Sequence, residues 1–238
     1  MKSKIRNIAL LVLMLPAMAA AQSLDSFFTD ANAFFASHVS GGKVNYKAIN
    51  EDASQLNNLL KTAANISVNK SDKDSYRAFW INAYNLSVIK GIVNNYPINS
   101  PLDKPGFFDK TTYKLAGVDI TLNDIENKKL RAVFNDARVH FVLVCGALGC
   151  PPLISEAYTP ANVESLLEKQ TKLAVNNPNF IKVKGKKVAI SEIFKWYKED
   201  FVTKDQDVIA YLNKYRSTPI AKGSKVSYYS YNWNLNAQ

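Results

Sequence analysis

Val139-His140-Phe141-Val142-Leu143-Val144-Cys145 is a nearly unbroken apolar run of strand length, interrupted by a single histidine. Such a run reads as a strand buried on both faces, which makes it the candidate central strand. Outward from it, two hairpins are legible. Tyr113-Lys114-Leu115 and Val118-Asp119-Ile120 flank Ala116-Gly117, and Ile181/Val183 and Val188/Ile190 bracket Lys184-Gly185-Lys186. The tail alternates through Tyr229, Tyr231, Trp233 and Leu235, the pattern of a half-buried strand.

Helices fill the spaces between. Leu24, Phe27, Phe28, Ala31, Phe34 and Phe35 recur at helical spacing, with Gly41-Gly42 as the stop. Leu56, Leu59, Leu60 and Ala63 mark a second helix. Ser71 with Asp74 caps a long third that runs to about Asn95 and stops before Pro97. Thr121 with Asp124 opens a helix toward Phe134, and Thr159-Pro160 opens one burying Val163, Leu166, Leu167 and Ala174. Ser191 caps a helix with Ile193, Phe194, Tyr197 and Phe201 inward; Val208, Tyr211, Leu212 and Tyr215 define the last. Hairpins interleaved with helices, without regular βαβ alternation, point to an α+β single domain: an antiparallel or mixed sheet with hairpins, packed against several helices.

The chain of 238 residues opens with Lys2, Lys4 and Arg6, an apolar stretch from Ile8 to Leu15, and Ala17-Met18-Ala19-Ala20-Ala21. These are the three parts of a signal peptide over residues 1–21. Cleavage near Ala21 would leave a globular domain over 22–238 and a periplasmic or secreted location. The apolar stretch is shorter than the ~20 residues that cross a bilayer, so no transmembrane segment is expected in the mature protein. The formal charge is +10, and loss of the leader takes three from it. The surplus lysines are scattered, unlike the concentrated face of a nucleic-acid binder. They suit solvated surface, or contact with an anionic envelope polymer or peptide.

Cys145 and Cys150 are the only cysteines, and Gly146 and Gly149 lie between them. In an oxidising compartment such a pair reads first as a disulfide. A redox couple and a Cys145 thiolate nucleophile are the alternatives. A nucleophile needs a base, and the histidines are His38 and His140. On an extended strand His140 stands about 16 Å from Cys145 with opposite parity, too far for a dyad; a fold-back at the glycines would bring Cys150 closer to His140 instead. Asn82 and Asn85 share one face of an otherwise apolar helix, where they either tie it to a neighbouring segment or floor a pocket. Glu126, Arg131, Asp136 and Arg138 lie close in sequence and are candidates to pair with one another; Arg138 is also a candidate carboxylate clamp. No metal spacing, phosphate loop, dinucleotide fingerprint or serine elbow is present, so neither metal nor cofactor is expected.

Phe79-Trp80-Ile81-Asn82-Ala83-Tyr84-Asn85, Arg138 to Ala147, Gly149-Cys150-Pro151-Pro152-Leu153 and Ser191 to Phe201 together resemble the domain of unknown function 547 family. The resemblance covers nearly all of the expected mature chain and implies no settled activity. In that family the tail usually reads Tyr-Asp-Trp, where this chain has Tyr231-Asn232-Trp233; an acid orienting a base at that position would be missing here.

Three functions follow from these residues. The first is a binding module for an envelope ligand, its pocket formed by Asn82, Asn85, Arg138, His140, the Cys145–Cys150 turn and Trp233. The second is a thiol-dependent hydrolase or acyl-transferase, loosely like papain or transglutaminase, with Cys145 and His140 catalytic. The third is a thiol-disulfide redox protein.

Overall fold

The computed structural model describes residues 24–238. The expected signal peptide, at 1–21, lies outside the described residues.

Helix α1 (24–38) turns Phe27, Phe28, Ala31, Phe34 and Phe35 into the core, as their spacing predicts. It ends at His38, ahead of the glycines. Gly41-Gly42 instead makes the turn of a small hairpin, β1 (Val39–Ser40) with β2 (Lys43–Val44). Helices α2 (Tyr46–Glu51) and α3 (Ser54–Asn65) follow, the latter burying Leu56, Leu59 and Ala63.

The centre of the molecule is α4 (Lys73–Val93), buried on almost every face from Ser75 to Val93. A helix apolar all round can be satisfied only inside a protein, so the other elements wrap it. Its cap is Asp72 rather than Ser71: the Asp72 carboxylate accepts from the Ser75 amide.

The expected central strand is not a strand. Residues Ala137–Phe141 form a 3-10 helix, and Val142 to Cys145 run on irregularly, buried but outside any sheet. An apolar run reports burial, not period. Here the buried backbone finds its partners elsewhere: Asn85 Nδ2 donates to the Val142 carbonyl at 3.0 Å, and the Val144 amide donates to Asn85 Oδ1 at 2.9 Å. One asparagine thus replaces what a neighbouring strand would supply.

Both hairpins are present. Strands β3 (Thr112–Leu115) and β4 (Val118–Thr121) pair antiparallel, and Thr121 Oγ1 then accepts from the Asp124 amide to start helix α5. That helix has three pieces, Leu122–Asp124, a π-helical Ile125–Arg131 and Ala132–Phe134. Helix α6 (Val163–Asn176) begins a turn later than Thr159-Pro160, after Asn162 folds its side chain onto the Thr159 amide and the Ala157 carbonyl. Strands β5 (Ile181–Lys184) and β6 (Lys187–Ser191) pair antiparallel, and β7 (Lys225–Tyr229) joins β6 in parallel, giving a mixed three-stranded sheet. The short helices α7 (Ile193–Trp196), α8 (Lys198–Phe201) and α9 (Val208–Asn213) stand between β6 and β7. The tail strand stops at Tyr229. Beyond it the chain keeps Tyr231 inward and Trp233 and Leu235 half-buried while Asn232 and Asn234 face solvent, but it pairs only through isolated bridges.

The result is an α+β single domain with two apolar clusters. One surrounds α4 and takes in α1 to α3 and the first hairpin. The other joins Phe141 to the sheet and α7 to α9. Cys150 packs against both, at the seam between them. Among the described residues, no helix is long and apolar enough to cross a membrane.

Candidate functional site

A cavity of about 260 Å³ opens at that seam, lined by Tyr84 and Leu143 from the first cluster, Ile193 and Tyr231 from the second, and His140, Cys145 and Trp233. Glu126 reaches its floor from the π-helical segment. A π insertion rotates the residues that follow it relative to a plain α-helix, and such insertions gather at functional sites. Here one segment sends Glu126 into the cavity and Arg131 to the acids behind it.

His140 is the polar centre. It is 4 % exposed, and its ring stacks on Tyr197 with centroids 4.1 Å apart. Nε2 lies 2.6 Å from Asp200 Oδ2, while Nδ1 faces Glu126 Oε1 at 3.8 Å. Burial alone would raise the Asp200 carboxyl. Hydrogen bonds from His140 and Arg131 outweigh it and hold Asp200 far below the usual carboxylate range. Asp200 is therefore an ionised acceptor, Nε2 carries the proton between them, and Nδ1 is the nitrogen turned toward Glu126. Arg131 completes the layer, with Nε 2.6 Å from Asp200 and one terminal nitrogen 2.8 Å from Glu199.

The walls are aromatic. Trp196 stacks on Trp233 at 26° and packs on Tyr231 at 5.0 Å. Burial, together with the Glu126 charge, pushes the Tyr84 and Tyr197 hydroxyls upward, so both remain neutral donors. Burial does the same to Tyr231.

Cys145 and Cys150 face each other across the glycine turn, with Cα atoms 6.5 Å apart and sulfurs in disulfide contact. The separation falls within the ~4.4–6.8 Å that a bridge spans. Two glycines make the turn possible. Gly146 sits at φ +83°, and a Cβ on Gly149 would come within 2.8 Å of the Tyr231 ring. The Tyr231 hydroxyl lies 3.1 Å from the Cys145 sulfur and 3.0 Å from that of Cys150.

The cavity brings together His140, Cys145 and Trp233 among the residues singled out in the sequence. His140 and Cys145 line one cavity because the chain turns, with the Val142 and Leu143 amides both donating to the Val139 carbonyl, instead of running extended as expected. Asn82 and Asn85 do not line it. Each is a buried clamp on backbone: Asn82 donates to the Tyr158 carbonyl at 2.6 Å and accepts from its amide at 3.0 Å, as Asn85 does with Val142 and Val144. Arg138 is likewise away from the cavity, ion-paired to Asp136 at 2.7 Å and to Glu164 at 2.6 Å. Cys150 lies on the far side of the turn, in a separate groove with Pro151 and Asn232. Asn232 is exposed and its side chain accepts from the Asn234 amide; the acid that orients the histidine is Asp200. Asp200, Tyr197, Tyr84 and Trp196 went unread as site residues. The pairing of Glu199-Asp200 with aromatic residues in one short segment was the available signal. Among the described residues, no group of three or more His, Cys, Asp and Glu is placed to hold a metal ion.

Residues 68–173 match the family described as "Protein of unknown function, DUF547". Over that stretch the chain is similar to the DUF547 family. No curated protein and no solved structure matches it. The DUF547 stretch contains Glu126, His140, Cys145 and Cys150, whereas Tyr197, Asp200, Tyr231 and Trp233 come from the chain beyond it. The cavity thus draws on residues from within the matched stretch and from beyond it.

Proposed function

We propose that the protein is a binding module whose ligand enters the cavity between Glu126, His140 and the Trp196–Trp233 wall. One observation carries this reading: an aromatic-walled cavity in which both ring nitrogens of His140 face carboxylates and the Cys145 sulfur meets Cys150. No base is left aimed at a thiol, while hydrogen-bonding groups and flat apolar faces converge on one space, the general form of a small-ligand site. At about 260 Å³ the cavity is smaller than the ~300 Å³ at which ordinary ligand pockets begin, so it suits a head group or a single ring. Export to the envelope through the leader at 1–21 and a domain spanning 22–238 belong to the same proposal. The envelope would supply the ligand.

The three tryptophans give a direct test. Trp196 and Trp233 line the cavity, and Trp80 is buried in α4 away from it. Protein labelled with 5-fluorotryptophan should show three fluorine signals. Fragments carrying one ring and one polar group should shift the Trp196 and Trp233 signals and spare that of Trp80. A fragment set that moves neither cavity signal, or moves all three alike, overturns the reading.

A second reading rests on Cys145 and His140 lining one cavity with Asp200 behind the histidine, the order of a thiol hydrolase. It requires a free Cys145. Rapid alkylation of Cys145 at neutral pH in protein never exposed to reductant would favour it; a silent thiol until reductant is added favours binding.

A further inference from the structure

We infer that the ligand's recognised group is a cation, an alkylammonium seated between Glu126 and the aromatic faces around it. This rests on reading the cavity as a binding site and adds the chemistry of what it takes.

The inference begins with a mismatch of sign. The chain as a whole is strongly basic, at a formal +10. Its cavity is not. Its lining holds one acid, Glu126, and neither lysine nor arginine, while behind it Arg131 is paired with Asp200 and Glu199. The donors of Arg131 are committed to Asp200, Glu199 and Asn127. His140 gives Nε2 to Asp200 and stands 3.8 Å from Glu126, beyond hydrogen-bonding distance. The Glu126 carboxylate, 9 % exposed beside the cavity, takes a hydrogen bond from the Tyr197 hydroxyl but has no cation within hydrogen-bonding distance, the nearest basic group being His140 at 3.8 Å. A buried carboxylate ordinarily has one.

The walls fit the same guest. Tyr84, Phe108, Trp196, Tyr231 and Trp233 line the same cavity as that carboxylate. Several aromatic faces and one acid form the arrangement that holds ammonium groups, the rings acting through their negative faces. An anion would meet Glu126 across a small, poorly solvated space. A neutral ring would gain the walls and leave the acid unpaired.

A charge series tests this with the fluorotryptophan protein. Benzyltrimethylammonium, benzyl alcohol and phenylacetate share a ring and differ in charge. The cation should shift the Trp196 and Trp233 signals with Kd below about 1 mM, at least about tenfold tighter than the other two. Glu126→Gln should weaken the cation about tenfold and leave benzyl alcohol unchanged. Trp196 is 42 % exposed, so Trp196→Leu carries little risk to folding. It should also weaken the cation, with Trp233 still reporting, and serves if Glu126→Gln fails to fold. Phenylacetate binding as tightly as the cation, or a cation indifferent to Glu126→Gln and Trp196→Leu, overturns the inference and leaves the binding site standing. No shift from any of the three overturns both.

Discussion

The two apolar clusters are built on different principles. The first is organised by one long helix, α4, whose neighbours are fixed to it by buried asparagines that grip their backbone. The second is assembled from strands of four or five residues and helices of four to six. It is joined to the first by ion pairs, stacked rings and the cysteine turn. Long buried helices carry most of their own hydrogen bonds, whereas short pieces depend on what surrounds them. The comparison explains where the cavity lies. Close packing reaches the edge of each cluster, and the seam is filled by polar and aromatic groups that do not close it.

The sharpest way to break this contrast is to cut a clamp. Asn85→Ala leaves the Val142 carbonyl and the Val144 amide buried without partners and should lower stability by about 3 kcal/mol, measured by urea unfolding. A loss below that of the cysteine variant would mean that the first cluster does not depend on its clamps. Cys150→Ser opens a very short loop and should lower stability by about 2 kcal/mol, provided the bridge forms in the folded protein. An unchanged midpoint would argue for free thiols.

A pH series sharpens the second cluster's dependence on charge. Asp200 titrates lower in the folded chain than in the unfolded one, so its contribution is complete above the ordinary carboxylate range and fades as pH falls below it. Asp200→Asn should therefore be less stable than the parent near neutral pH, with the gap narrowing on acidification through pH ~4 and below. Asp136, also held low against burial by Arg138, keeps a residual acid slope in both proteins. A constant gap from pH 7 to pH 2 would show that Asp200 acts by packing instead. Smallest of all, Lys128→Ala removes an exposed pair with Asp124 and should change stability by less than about 0.5 kcal/mol.

Much of this fold was legible from pattern alone, because hairpin turns and amphipathic helices carry their period in adjacent residues. The two hairpins, α1, α3 and α4 all stand near where their spacing puts them. What failed was the reading of Val139 to Cys145. Burial there is real, but an asparagine 57 residues away satisfies the backbone, and no local signal announces such a partner. The same limit applied to the site. His140, Cys145 and Trp233 stood out as reactive or unusual residues, while Tyr197 looks like part of the buried face, and Asp200 part of the polar face, of an ordinary short helix. Only the π-helical turn and the return of the chain after β6 bring those acids and rings to the histidine.

The path of residues 231–238 has a temporal consequence. The Tyr231 hydroxyl touches both cysteines, Leu148 and Gly149 donate to the Asn234 and Asn232 carbonyls, and Leu235 donates to that of Asn99. Asn236 ties Gly146 to Val44 and takes the Tyr46 hydroxyl across a span of 190 residues. A chain made from its N-terminus can assemble α1 to α4 early, but the glycine turn has no lining until these residues have emerged. Contacts so distant in sequence form late. The nascent protein would therefore pass through a stage with its helical half in place and both cysteines uncovered, so an oxidant could reach the thiols before Tyr231 closes over them.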